Sequence, residues 1–149
     1  MQLKTRSKIE IFKPSDGNVL GVPMFDGGIS AGFPSPAEDF AENRISLDKE
    51  LVGDTEATFY ARVNGNSMEG AGLYDGDLLV IDKSIEPYDG CIAICFLEEE
   101  FTVKRIKKDK DKVILLPENP SYKPIIVEGD RTLIIWGVVT YSIKNHKGK

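Results

Sequence analysis

The sequence of 149 residues is poor in the side chains that build most metal and hydrolase sites, with two cysteines and one histidine. A zinc site is not expected, because zinc ligands are mainly clustered Cys and His and no Cys-x-x-Cys pair occurs. A Ser-His-Asp triad is not expected either, since His146 lies in a polar C-terminal segment. A glycine-rich phosphate loop with its lysine is also missing. These absences exclude most standard enzyme classes.

Long hydrophobic runs are missing as well. No apolar stretch approaches the roughly 20 residues of a membrane helix, and the basic segment Met1–Lys8 is followed by no apolar core of a signal peptide.

Cys91 and Cys95 fall in one predicted strand, where positions four apart lie about 13 Å from each other. A disulfide needs Cα atoms within about 7 Å, so we expect buried, inert thiols and a cytoplasmic protein.

Positive charge is not in excess, since the formal net charge is −5. A duplex-DNA-binding protein usually concentrates positive charge. The basic residues gather at positions 104–112 and 144–149, and acidic residues interrupt the first group. We interpret both groups mainly as solvated surface, which argues weakly against DNA binding. The length is sufficient for one domain with its own core.

Residues 1–34 contain many glycines and prolines and little periodic pattern, which indicates an extended or mobile arm. The segment is too short for a helix-turn-helix module. Apolar residues nevertheless recur in it, and a simple linker would need none, so we expect the arm to fold back on another part of the protein. These residues are Ile11, Phe12, Val19, Leu20, Val22, Met24 and Phe25.

Two short helices are predicted after the arm. Ser35 is a candidate N-cap, with Pro36 at the first helical position and Glu38 completing a capping box. This helix is expected to extend to about Arg44. A second helical segment is predicted over residues 47–52. Neither carries a binding motif.

From Thr58 onward, short apolar runs alternate with turn residues, which predicts about seven strands. This spacing is typical of a compact, highly twisted all-β body, barrel-like or sandwich-like. The predicted strands are Thr58–Val63, Leu78–Ile81, Ile92–Phe96, Phe101–Ile106, Val113–Leu116, Ile125–Val127 and Leu133–Ile143.

Two residues are candidates for chemistry. Ser67 lies between turn formers in Gly65–Gly70, directly after a predicted strand, and Lys104 lies within the strand-like run Phe101–Arg105. A serine hydroxyl needs a base to become a nucleophile, and a lysine can be that base when it is neutral. Taken alone, Ser67 could equally cap a turn, and Lys104 could equally face solvent.

Five segments together resemble one family. In their order and spacing, and over nearly the whole chain, they are similar to the UmuD proteins, a group within the LexA-like self-cleaving peptidases. The segments are Ala31–Asp39, Gly65–Met68, Tyr74–Val80, Glu100–Arg105 and Trp136–Val139.

The resemblance implies a mainly β, compact and highly twisted LexA-like peptidase fold with a flexible N-terminal arm and one or two short helices. We expect residues 1–45 to contain the arm, the cleavage segment and a short helix, and residues 46–149 to form the peptidase-like β-domain. Ser67 would be the nucleophile and Lys104 the general base, and the Ala31–Gly32 bond would be cut. The protein would thus be a serine endopeptidase that acts on itself, with no cofactor.

The resemblance also implies partners. A RecA–single-stranded-DNA filament would stimulate self-cleavage. The shortened homodimer would then serve a UmuC-type Y-family polymerase in translesion synthesis during the SOS response. Neither sequence-specific DNA binding nor membrane association is expected. Two alternatives stay open: a non-catalytic binding module of the same fold, and a regulator of a repressor system that lacks its own DNA-binding domain.

Overall fold

The computed structural model describes residues 9–14, 22–24 and 43–147. They form short antiparallel strands, one α-helix and one 3₁₀ turn. The elements are β1 (Glu10–Phe12), β2 (Val22–Met24), β3 (Asn43–Ile45), α1 (Leu47–Leu51), β4 (Thr58–Arg62), the 3₁₀ turn (Glu69–Ala71), β5 (Leu78–Asp82), β6 (Ile92–Leu97), β7 (Glu100–Asp109), β8 (Lys112–Leu116), β9 (Ile125–Val127) and β10 (Leu133–Ile143).

The chain divides into two compact units, one of which contains residues 15–53 and the other the remainder. The larger unit is built on one eight-stranded antiparallel sheet in the order β1-β4-β5-β10-β6-β7-β8-β9. Its last seven strands coincide with the seven predicted from sequence, so the mainly β fold class is confirmed. The domain boundary predicted at residue 45 stays a prediction.

The two central strands, β6 and β10, separate two hydrophobic cores. Alternate side chains of a strand point to opposite faces, and in β6 Ile94 packs into the first core whereas Ala93 and Cys95 pack into the second. In β10, Trp136 lies against the first core and its neighbour Ile135 against the second. A strand buried on both faces reads as a continuous apolar run, as β6 does.

Residues 10–12 of the arm fold back as expected, because β1 pairs with β4 at the edge of the sheet. The predicted burial of Cys91 and Cys95 is also confirmed. The solvated surface predicted for residues 144–149 is confirmed for residues 144–147, which are exposed. The Lys144 side chain also donates a hydrogen bond to the carboxylate of Asp77, which is only 4% exposed, since a buried carboxylate needs a partner.

The smaller unit contains β2, β3 and α1, and β2 pairs antiparallel with β3. The second predicted helix is confirmed by α1, whose N-cap Ser46 accepts a hydrogen bond from the backbone N–H of Lys49. The first predicted helix is wrong at Asn43 and Arg44, which pair with β2. Its other residues lie outside the described part of the chain. None of the described helices is long and apolar enough to cross a membrane.

Strand β10 passes β5 very closely at Gly137. Its pairing with β6 shifts register between Ile135 and Gly137, and a Cβ atom built on Gly137 would lie 2.5 Å from Cγ2 of Ile81. Ile81 is fully buried and branched at Cβ, so it has little freedom to move away. Only glycine fits this crossing without displacing the core.

We therefore predict that Gly137→Ala lowers the free energy of unfolding by about 1–3 kcal/mol, the usual cost of overpacking a core. The measurement is urea unfolding followed by tryptophan fluorescence. Gly53→Ala is the control, because nothing lies within 4 Å of a Cβ there. Equal stability of Gly137→Ala and the wild type would contradict the close packing of β10 on β5.

Candidate active site

The fold brings Ser67 and Lys104 together from positions 37 residues apart. Ser67 lies in the turn between β4 and the 3₁₀ turn, and Lys104 lies in the middle of β7. The Nζ atom of Lys104 is 3.1 Å from the Oγ atom of Ser67. A nucleophile and its base must lie within hydrogen-bonding distance, and the two sequence candidates meet this condition.

The neighbour of the serine fixes its turn. Met68 is 2% exposed and packs into the first core, and its carbonyl accepts hydrogen bonds from the N–H groups of Ala71 and Leu73. Gly65 has a φ of 91°, a conformation that favours glycine, and donates its N–H to Asp75 Oδ1. Ser67 is therefore held between a buried side chain and a tight glycine turn.

Lys104 is buried although it is a lysine, with 7% of its surface exposed. It lies opposite Ala93 in the β6–β7 pairing, so its stem crosses the protein interior. Its Nζ atom also donates to Thr102 Oγ1 at 2.7 Å and to the carbonyl of Val103 at 3.1 Å. The solvent-facing alternative for this lysine is thereby wrong.

Thr102 is a site residue that was not predicted from the sequence. It precedes Lys104 by two positions in β7, and side chains two apart in a strand share a face. A hydroxyl residue two positions before a candidate lysine base was the available signal. The hydroxyl of Thr102 gives the amine a second hydroxyl partner beside Ser67.

Burial shifts the pKa of Lys104. Desolvation disfavours the charged ammonium and lowers the pKa of Lys104 below its ordinary value. A charged Cys95 would oppose this effect, but burial raises the pKa of Cys95 to about 12. The thiol is therefore neutral in the pH range where the amine titrates. In the described part of the chain no carboxylate forms an ion pair with Lys104, so desolvation dominates.

The three contacts of Nζ can form in either protonation state, because an ammonium donates to all three oxygens. A neutral amine has two N–H donors and one lone pair. In the neutral form, Thr102 Oγ1 and Val103 O take the two N–H groups, and the lone pair is left to accept the proton of Ser67. The carbonyl of Val103 can only accept a hydrogen bond, and Thr102 Oγ1 accepts one from Nζ at 2.7 Å. Deprotonation of Lys104 thus points the lone pair at the serine hydroxyl.

Glu118, which follows β8, forms backbone hydrogen bonds with the turn that contains Ser67. The N–H of Glu118 donates to the carbonyl of Ser67 at 2.8 Å, and the N–H of Gly70 donates to the carbonyl of Glu118 at 2.7 Å. A Cβ on Gly70 would lie 2.5 Å from that carbonyl oxygen, so glycine permits the approach. The Glu118 side chain in turn accepts a hydrogen bond from Arg105 Nε.

A small cavity of about 80 Å³ opens beside the dyad. Its walls are mostly apolar, with Ile9 from the arm and Phe101 from β7 among them. A space of this size suits a small side chain.

The predicted scissile residues Ala31 and Gly32 lie outside the described residues. No group of three His, Cys, Asp or Glu side chains in the described chain is arranged to hold a metal ion.

Comparison with known proteins agrees with the predicted resemblance. Residues 23–140 match the family described as Peptidase S24-like. MucA of Salmonella typhimurium is 37% identical over 141 residues, 93% of this chain and 96% of MucA. SamA of Salmonella typhimurium strain LT2 is 43% identical over 118 residues, 79% of this chain and 81% of SamA.

A repressor is also similar. The LexA repressor of an Anaeromyxobacter species is 36% identical over 137 residues, which cover 91% of this chain and 58% of the repressor. The family match extends over residues 23–140, from β2 into β10, and includes both Ser67 and Lys104. The predicted UmuD-type, LexA-like resemblance is confirmed, and the chain belongs to the Peptidase S24-like family.

Proposed function

We propose that this protein is a self-cleaving serine peptidase in which Ser67 is the nucleophile and Lys104 the general base. One observation carries the proposal: the buried Nζ of Lys104 lies 3.1 Å from Ser67 Oγ. An amine that only stabilised the fold would be expected to pair with a carboxylate. This amine is instead desolvated and directed at a hydroxyl, as general-base catalysis requires.

The proposed reaction needs only protein groups and water. Neutral Lys104 takes the proton of Ser67, and Oγ attacks the carbonyl carbon of Ala31. The bond between that carbon and the nitrogen of Gly32 breaks as the Lys104 ammonium gives its proton to the departing amine. Water, deprotonated by the same amine, then hydrolyses the ester on Ser67. The products are residues 1–31 with a free carboxylate and a chain that begins at Gly32.

An oxyanion would form on the carbonyl oxygen of Ala31 during attack. Backbone N–H groups that face the reacting carbon stabilise such a charge. The N–H of Ser67 is a candidate, because it donates to no acceptor within residues 9–14, 22–24 and 43–147. Our proposal assigns it to the oxyanion.

The proposed scissile residues, Ala31 and Gly32, suit this site in size. Ala31 has a small side chain, which suits the cavity of about 80 Å³, and Gly32 offers little steric hindrance. The pairing of Met24 with Asn43 brings together the two ends of residues 25–42, which contain the bond. The proposal includes both cleavage within one molecule and cleavage between two.

We further propose the biological setting that the UmuD resemblance implies. A RecA–single-stranded-DNA filament stimulates cleavage, and the shortened chain, as a homodimer, serves a UmuC-type Y-family polymerase in SOS mutagenesis. Similarity to MucA and SamA over most of their length supports this setting. The predicted cytoplasmic location is part of the same proposal.

A second candidate is a regulator within a repressor system, which similarity to the LexA repressor favours. Copurification distinguishes the two. A Y-family polymerase recovered with the processed chain supports the mutagenesis role, and a repressor recovered in its place supports the regulator. A non-catalytic binding module is less well supported, since it would have no need of a desolvated lysine beside a serine.

Ser67→Ala is predicted to abolish cleavage and leave the fold intact, because the nucleophile is lost without a change in packing. The measurement is intact-mass spectrometry with and without RecA filament, in which the wild type should lose residues 1–31. Ser142→Ala is the control, since Ser142 is exposed on β10 and should not alter cleavage. Persistent cutting of the Ala31–Gly32 bond in Ser67→Ala would contradict the mechanism.

The cleavage rate is predicted to rise with pH. Only neutral Lys104 accepts a proton, so the rate should rise about tenfold per pH unit below the pKa of Lys104 and level off above it. Because burial lowers that pKa, the plateau should begin below the ordinary lysine value of about 10.4. The measurement is the first-order rate of spontaneous cleavage from pH 6 to 11.

Removal of the amine gives the matched test of the pH profile. Lys104→Met should reduce the plateau rate by about 10²–10⁴, the usual contribution of a general base. Lys107→Met changes an exposed lysine of the same strand and should leave the profile unchanged. A flat wild-type profile, or a pH dependence retained in Lys104→Met, would show that another group is the base.

A further inference from the structure

Asn66, the residue before the proposed nucleophile, is contacted by the loop of residues 117–124 between β8 and β9. The loop binds both its backbone carbonyl and its side chain. Asn119 donates its Nδ2–H to the backbone carbonyl of Asn66 at 2.8 Å. Tyr122 donates its hydroxyl to Asn66 Oδ1 at 2.5 Å. Both contacts connect positions more than 50 residues apart.

Two hydrogen bonds within the loop define its turn. Asn119 Oδ1 accepts the N–H of Ser121 at 2.9 Å, and the carbonyl of Asn119 accepts the N–H of Tyr122 at 3.0 Å. Asn119 therefore uses one side-chain atom to close its own turn and the other to hold Asn66. The adjacent Glu118 also holds the carbonyl of Ser67. Two successive carbonyls of the nucleophile turn thus face this loop.

The direction of these carbonyls determines the direction of the N–H groups. In a trans peptide the C=O and the following N–H point to opposite sides, and no cis peptide occurs in the described chain. Because Asn119 holds the carbonyl of Asn66, the N–H of Ser67 points away from the loop. This N–H is the one that the proposed mechanism assigns to the oxyanion.

We infer that Asn119 and Tyr122 are positioning residues that orient the Asn66–Ser67 peptide so that the N–H of Ser67 is presented to the scissile carbonyl oxygen. The inference rests on the proposed self-cleavage. It gives the loop a role in transition-state stabilisation that is distinct from the role of Lys104 in proton transfer. The loop acts through the backbone of the nucleophile turn, although Tyr122 also lines the cavity beside the dyad.

The test compares rates at the alkaline plateau, where Lys104 is neutral and its protonation no longer affects the result. Asn119→Asp retains Oδ1 for the turn and replaces only the donor to Asn66. It should lower the plateau rate about tenfold to hundredfold, since loss of an oxyanion donor outright costs about 10²–10³. Tyr122→Phe, which removes one hydroxyl, should lower the plateau rate about fivefold and leave the midpoint of the pH profile in place.

Ser121→Ala is the matched control, because it changes an exposed side chain of the same loop, and it should cleave at the wild-type rate. All rates are corrected for the folded fraction from urea unfolding. If both Asn119→Asp and Tyr122→Phe cleave within twofold of the wild type per folded molecule, the loop is only structural and the inference fails. Absence of cleavage in the wild type itself would instead overturn the proposed function.

Discussion

The contact between the buried amine of Lys104 and the hydroxyl of Ser67 is the interaction on which the rest of the site depends. Burial disfavours the ammonium form, and no described carboxylate compensates for it. A lysine reaches this state where the fold takes its amine out of bulk water. Cys95, with its pKa raised to about 12 by burial, contributes no countercharge.

Most of the sheet could be predicted because its strands are local apolar runs between turn residues. β4 to β10 follow this rule. The strands β1, β2 and β3 were missed although β9 is equally short, since β1 and β2 lie in a segment rich in glycine and proline and β3 overlaps the predicted helix. Each of the three is formed by pairing with a strand elsewhere in the chain. For the same reason Asn43 and Arg44 were assigned to a helix on local capping signals, whereas pairing with β2 determines their conformation.

The site divides in the same way. Ser67 and Lys104 carried recognisable local patterns and a family-like spacing, and the structure brings them together. Thr102, Asn119 and Tyr122 were not predicted, because their roles arise from hydrogen bonds that a linear pattern does not encode. The hydrogen bond from Lys144 to Asp77 was not predicted either, because the two residues are 67 positions apart. Ala31 and Gly32 stay predictions.

The central claim is that Lys104 is an amine made neutral by burial. It is tested most directly by an NMR titration of the Lys104 Cε and Nζ signals in the non-cleaving Ser67→Ala protein, with Lys104→Met used for assignment. We expect a titration midpoint clearly below the ordinary lysine value of about 10.4, because desolvation is the dominant effect on this group. A midpoint at or above that value would contradict the account, since the amine would then be an ammonium ion that cannot activate Ser67.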